Sequence, residues 1–443
     1  MRSYQLLRNL LCALDGVVKL GLARAGDVCR GPRQRLEHGG DAGRLAVDAP
    51  DVLGGMGPAA RTGRQAGTKA SWSYGEGPGW TEQDETISLL LNSIFMLGPI
   101  NSAREEHGSA VSAVYWFGEL PEFLQPVKQF SRCMVPYAYS AFVDEMEIYS
   151  IFIRKALKGT GGHNFASSLL LKYSDERGAV GDADLISLLT HELVHNWLYL
   201  GNNPGEYQNM WYIEGNLILK NFICAYYTNP LIDTPLREPE THFYSDPRAE
   251  WTPYMRGFVY LLLVDALLRQ AGIYSGTQNP IDNVVMSITR KNRGGSRATA
   301  STWLQLLYPW LGVEVVDKDY QTVIDGGVLK LNTSFKFPVA EHLFSLTAVN
   351  QEVFELGFDP KSLRSRVVEG LLPGSRAAQA GLQNGDVAQH FSTVGMYLLD
   401  FDRKVPFSVL RAGNDELITG EFWPRSFHKV GSFQAIQIDK DAA

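Results

Sequence analysis

Hydrophobic and polar positions change their rhythm several times along this chain. Up to about residue 71 apolar residues keep no fixed interval, and breakers such as GGDAG and LGGMGP interrupt them, which predicts a poorly ordered extension over residues 1–71. Aromatic and β-branched runs then appear: SAVYWFG near residue 110, EMEIYSIFIRK over 145–155 and SSLLLKY over 167–173. Bounded by Gly, Pro and charged turns, they predict strands between 72 and 175. Beyond Gly181 the apolar period lengthens to that of helices, at 184–200, about 211–227, about 254–270 and about 302–311, giving a helical part over 180–345. Near Asn350 short alternating stretches return in FELGFDP, RSRVVEGLLPGSRAAQAGLQNGD and KVPFSVLRAG, which predict a small β-rich module over 346–430. No repeat of fixed period is present, and the order strands, helices, β-module predicts an α+β fold.

Composition narrows the function classes. At 443 residues the chain has material for more than one core, and its 45% hydrophobic and 20% charged residues match soluble globular proteins. No run reaches the roughly 18 apolar residues of a membrane span, so a transmembrane segment is not expected. A net charge of −7 without a clustered Lys/Arg face argues against nucleic acid as a partner. Cys12, Cys29, Cys133 and Cys224 form no CxxC pair, and their scatter predicts free thiols. The opening stretch is apolar in part, but Asp15 and Lys19 interrupt the core a secretory signal needs, so the compartment stays open.

Chemistry concentrates in THELVHNW. Histidines at i and i+4 project from one helix face and can converge on one metal, and Glu192 between His191 and His195 stands within reach of an attacking water. With 9 histidines in 443 residues, chance would place such a string in roughly one chain in a hundred. A hydrolytic zinc site needs a third protein ligand and an open position. Gly201 and the Asn202-Asn203-Pro204 that follows end the helical pattern near Leu200, and a second helical pattern opens near Trp211 with Glu214 in its first turns. The alternative is a helix whose histidines satisfy core hydrogen bonds, or a degenerate site without metal.

HELVHNW, followed by WYIEGN with its Glu 19 positions after the second histidine, resembles the gluzincin zinc metallopeptidases. The chain is most similar to their glycyl aminopeptidase family, because GTGGHNFASS precedes the zinc helix, PYMRGFVYLLLVDALLR follows it and a PDZ-like string closes the order. The resemblance covers about residues 90–425. It implies a thermolysin-like catalytic core plus a small PDZ-like domain, with one zinc ion on His191, His195 and Glu214 and Glu192 as general base. It also points to Tyr254, in Tyr254-Met255-Arg256-Gly257, as a donor to the developing oxyanion; a tyrosine that opens a buried helix reads equally well. Gly161 and Gly162 can let a substrate backbone lie close against an edge strand or serve as a plain turn, and Asn164 beside them is a further candidate for substrate contact. Relatives that trim N-terminal residues carry a Glu where this chain has Asn164, and a neutral amide cannot pair the charge of a substrate ammonium. A second departure is the N-terminus, where the family has a full β-rich domain.

At the other end, Glu355-Leu356-Gly357-Phe358 resembles the carboxylate-binding loop of PDZ domains, and GSRAAQAGLQNGD their helix-turn segment. Leu356, Gly357 and Phe358 are therefore candidates to bind a peptide C-terminus, with an adjacent strand free for β-addition. The sequence thus predicts a zinc metallopeptidase acting on peptides or proteins, and an aminopeptidase if the family specificity holds. The competing expectations are an inert, peptide-binding scaffold and a gluzincin site turned to another hydrolysis.

Overall fold

The run AVSAVYWF forms a strand because its β-branched and aromatic residues are covered on both faces, and it sits inside the main sheet of the molecule. The computed structural model describes residues 69–76, 92–142, 144–157, 160–174, 182–201, 209, 211–212, 222–242, 246–272, 280–339, 342–391, 395–399, 401–411, 413 and 416–438. Most of the expected N-terminal extension lies outside them. The chain divides into two compact units, Met1–Leu198 and Tyr199–Ala443, with a mixed α+β composition.

In the first unit, β1 (Lys69–Trp72) pairs with β2 (Gly75–Glu76) and β3 (Phe95–Gly98) in a small antiparallel sheet. A five-stranded sheet combines β4 (Ile100–His107), β5 (Ala110–Phe117), β6 (Ile148–Lys155), β7 (Gly161–Phe165) and β8 (Ser168–Tyr173) in the order β4-β5-β6-β8-β7. The three central strands run parallel, while β4 and β7 are antiparallel edges. Parallel neighbours need a crossover, and α1 (Pro126–Ala141) lies in the β5–β6 connection. The strand pattern read over 72–175 misses this helix, because Pro126 and Pro136 interrupt it. Pro126 takes the first helical position, where a missing N–H costs little, and Val127, Phe130, Val135 and Ala138 still bury one face.

After β8 comes α2 (Asp182–Val194), which buries Leu185, Leu189 and Leu193 completely at intervals of one turn. The helix expected over 184–200 therefore stops at Val194. Beyond it, the N–H groups of Asn196 and Trp197 reach back only three residues, to Leu193 and Val194, so the last turn tightens.

The second unit begins at Tyr199, and its first described helical residues are Trp211 and Tyr212; the rest of the expected 211–227 helix is described only as α3 (Phe222–Thr228). There follow α4 (Arg237–Thr241), α5 (Pro247–Gln270), α6 (Pro280–Arg293), α7 (Ala300–Leu311) and α8 (Val313–Asp325). The α5 helix starts at Pro247 rather than near 254, because Asp246 caps it by accepting from the Arg248 N–H and Pro247 suits the first position. Pro253 inside the helix had the look of a boundary. Trp211 packs edge-on against Tyr260 and Trp303, with ring centroids 5.1 and 5.7 Å away, at the centre of this core.

The C-terminal part holds two three-stranded sheets. One contains β9 (Lys336–Val339), β10 (His342–Phe354) and the long final strand, and the other β11 (Val387–Phe391), β12 (Val405–Leu410) and β13 (Leu417–Phe422); β14 (Arg425–Ile438) completes the first. Short helices α9 (Ser362–Ser365), α10 (Arg376–Gln379) and α11 (Gly395–Leu399) join them. Cys224 is free and donates to the Phe433 carbonyl at 3.0 Å, tying α3 to β14. Cys133, against expectation, is disulfide-bonded; four scattered cysteines without a CxxC pair leave no pairing to read from spacing. No helix among the described residues is long and apolar enough to cross a membrane.

Candidate metal centre

The fully buried stripe of Leu185, Leu189 and Leu193 fixes the roll of α2, which leaves His191, on the opposite side, and His195, in the turn just beyond the helix, half-buried. Their Nε2 atoms approach to 3.0 Å, with the rings at 82°. Two donors of a tetrahedral zinc stand about 3.3 Å apart at ordinary Zn–N distances, so the pair fits one shared cation with a shift of a few tenths of an ångström. Among the described residues no three His, Cys, Asp or Glu side chains close a metal shell, and Glu214, the expected third donor, lies outside them. Two imidazoles together with the carboxylate expected at Glu214 would make the donor set of a hydrolytic zinc site.

Glu192 is 7% exposed, and its side chain runs along the edge strand. A Cβ built on Gly162 would fall 2.4 Å from Glu192 Cγ and 2.7 Å from its Oε1, so only glycine lets β7 approach the carboxyl arm this closely. Two residues on, and on the same face of the strand, Asn164 donates from Nδ2 to the Glu192 backbone carbonyl at 3.0 Å. Gly161 faces the other way; its own Cβ would meet Lys172 Cε at 3.0 Å.

The turn carrying His195 is held from behind by residues that sequence reasoning did not single out. Asn196 donates to the Leu193 carbonyl at 2.7 Å and to the Tyr149 hydroxyl at 3.3 Å. Burial pushes the Tyr149 phenol well above its ordinary range, with Tyr139 and Glu192 nearby adding to this and the Asn196 hydrogen bond opposing it, so Tyr149 stays neutral. Trp197 donates from Nε1 to Asp144 Oδ2 at 2.8 Å, stacks on Phe142 at 4.4 Å and takes Tyr139 edge-on at 4.9 Å. Asn196 and Trp197 follow His195 directly in HELVHNW, so their adjacency was legible. Tyr149 and Asp144 carry no local signature.

In the second unit, Arg256 and Gly257 have firm structural roles. Arg256 is fully buried and donates to the carbonyls of Ile232, Thr234 and Val323. A Cβ on Gly257 would lie 1.8 Å from the Trp211 carbonyl oxygen, so this glycine allows the Trp211 backbone to rest on α5. Tyr254, within the same helix rather than at its start, is half-buried with its ring 5.1 Å from Trp251.

The Leu356–Phe358 loop is turned into its own module. Leu356 and Phe358 are buried, and the Gly357 carbonyl accepts from the Leu372 N–H at 2.8 Å. Gly357 has φ +80°, and a Cβ there would meet Ser375 Oγ at 2.7 Å. β10 ends at Phe354 just before the loop, and after it Asp359 accepts from the Lys361 N–H and α9 follows. Pro360 and the Asp359 turn favour this local helix over an extended edge.

No protein-family model and no curated sequence matches the chain. Among solved structures, it is similar to an aminopeptidase N family protein from Idiomarina loihiensis at 14% identity and TM-score 0.48, over 84% of this chain and 76% of that one. A two-domain M1 zinc metallopeptidase bound to L-arginine aligns at 13% identity and TM-score 0.35, over 60% of this chain and 63% of that one. Yeast LTA4 hydrolase aligns at 16% identity and TM-score 0.35, over 55% and 41%. The chain thus spans less than two thirds of the latter two. At these scores the likenesses carry no functional weight, which rests on the site's own geometry.

Proposed function

We propose that this chain is a zinc-dependent peptidase, with His191, His195 and Glu214 as metal ligands and Glu192 as general base. One observation carries the reading: two imidazole nitrogens converge to 3.0 Å beside a buried glutamate whose arm is laid along an edge strand by Gly162. Bound zinc supplies Lewis acidity, lowering the pKa of a water and polarising the substrate carbonyl. Glu192, through its carboxylate, takes the proton of the attacking water and returns it to the leaving amine. Its burial keeps the proton from bulk solvent between the two steps. Tyr254 is proposed to donate its phenol hydrogen to the oxygen that gains charge. The approach of the Trp211 backbone to Gly257, on the helix that carries Tyr254, supports this.

The C-terminal loop supports the inert-scaffold alternative less well, since a turn and a helix follow Phe358 where a peptide would need a strand. Metal analysis of the purified chain and digestion of a peptide library, with and without a chelator, test the proposal. Stoichiometric zinc and chelator-sensitive cleavage are expected; zinc without any cleavage would favour the scaffold.

A further inference from the structure

The strand β7 reads Gly161-Gly162-His163-Asn164-Phe165, without a carboxylate, and its helix-facing side chain already has a partner. That partner is informative. The last four carbonyls of α2, from His191 to Val194, lie where a helix runs out of its own donors. Leu193 accepts from the N–H and the side-chain amide of Asn196, and Val194 from the N–H groups of Trp197 and Leu198. The Asn196 N–H, which an uninterrupted helix would direct to Glu192, is thus turned to Leu193. Glu192 instead takes its hydrogen from Asn164 Nδ2 at 3.0 Å. Because the acceptor is a carbonyl, the amide orientation is unambiguous: the nitrogen faces the helix.

We infer that Asn164 is a positioning residue for the general base, capping the Glu192 carbonyl from the neighbouring strand, and that this enzyme's substrates are peptides that need no free N-terminal ammonium. The inference rests on the peptidase reading above. Gly162 and Asn164 act together: the glycine opens the space for the Glu192 arm, and the amide fixes the backbone from which the arm projects. A carboxamide bound to a main-chain carbonyl offers no charge for an incoming ammonium, and the strand holds no acidic residue that could replace it. Acetylated, internal and free-ended peptide bonds are therefore treated alike at this edge.

The test compares wild type, Asn164→Ala and Asn164→Asp on one cleavable peptide in free and N-acetylated forms, with zinc affinity measured separately by chelator competition. Wild type is expected to cleave both forms with kcat/KM within about threefold. Asn164→Ala lowers kcat by about 10- to 100-fold, the usual scale for a residue orienting a catalytic group, with little change in KM and equally on both peptides. Asn164→Asp sets a carboxylate against the Glu192 carbonyl at the negative end of α2 and lowers kcat at least as far. Failure of wild type on the acetylated peptide would overturn the inference. So would a KM rise confined to the free peptide in Asn164→Ala, a selective gain on the free peptide in Asn164→Asp, or unchanged kcat in both variants. The wild-type comparison needs no variant and stands if a variant fails to fold. If wild type cuts neither peptide, the peptidase reading falls and the inference with it; zinc affinity is expected to be the same in wild type and Asn164→Ala.

Discussion

Gly162 and Gly357 both sit in strings that read as functional, and both permit a contact that a Cβ would forbid, yet what they admit differs. Against Gly162 lies the arm of Glu192, a group able to move protons; against Gly357 lies the Ser375 hydroxyl and the body of a small module. The first glycine shapes the surroundings of the proposed base and the second shapes packing. The surroundings agree. Near Gly162, Asn164, Asn196, Tyr149 and Asp144 converge on a single helix end, whereas the Gly357 loop buries Leu356 and Phe358 and bonds its carbonyl inward.

That contrast can be broken at several points. Glu192→Gln keeps the shape of the site but removes the base, and should lower kcat by about 10²- to 10⁴-fold with zinc content and melting temperature unchanged; steady-state kinetics with metal analysis checks this. Gly162→Ala pushes a methyl to within 2.4 Å of Glu192 Cγ. A displacement of the base near 1 Å should lower kcat by about 10²-fold, with a smaller change in melting temperature. Gly357→Ala should do the reverse. Its left-handed backbone and the Ser375 contact should cost about 1–3 kcal/mol of stability, read as a fall in thermal midpoint, while kcat holds. Asp144→Asn keeps the Trp197 hydrogen bond but removes the charge on its acceptor, and should cost about 1 kcal/mol with at most a severalfold loss of zinc affinity.

The approach of the two histidines was legible in the sequence because its information is local: a four-residue spacing at a helix end brings both imidazoles together with the glutamate between them. Gly162 and Asn164 were legible as residues of interest, but their partner was not. An edge strand reveals which side chains share a face, not that the face rests on the backbone of Glu192. Asp144 and Tyr149 were invisible, since each acts through a contact across at least forty residues with no period to betray it. In the fold, α1 was hidden by its prolines, and α5 opened earlier than read because Asp246-Pro247 was the true start and Pro253 a tolerated interruption. The α2 end was misplaced for a subtler reason. The apolar pattern runs on to Leu200, but the carboxamide of Asn196 takes up the Leu193 carbonyl and the chain leaves the helix at Val194.

The central claim, that His191 and His195 hold a hydrolytic zinc served by Glu192, is tested most directly by zinc content and cleavage of one peptide measured in parallel on wild type and Glu192→Gln. One zinc per chain in both proteins, with cleavage in wild type alone, is the predicted result. Absence of zinc from wild type, or equal cleavage by the two proteins, would contradict it.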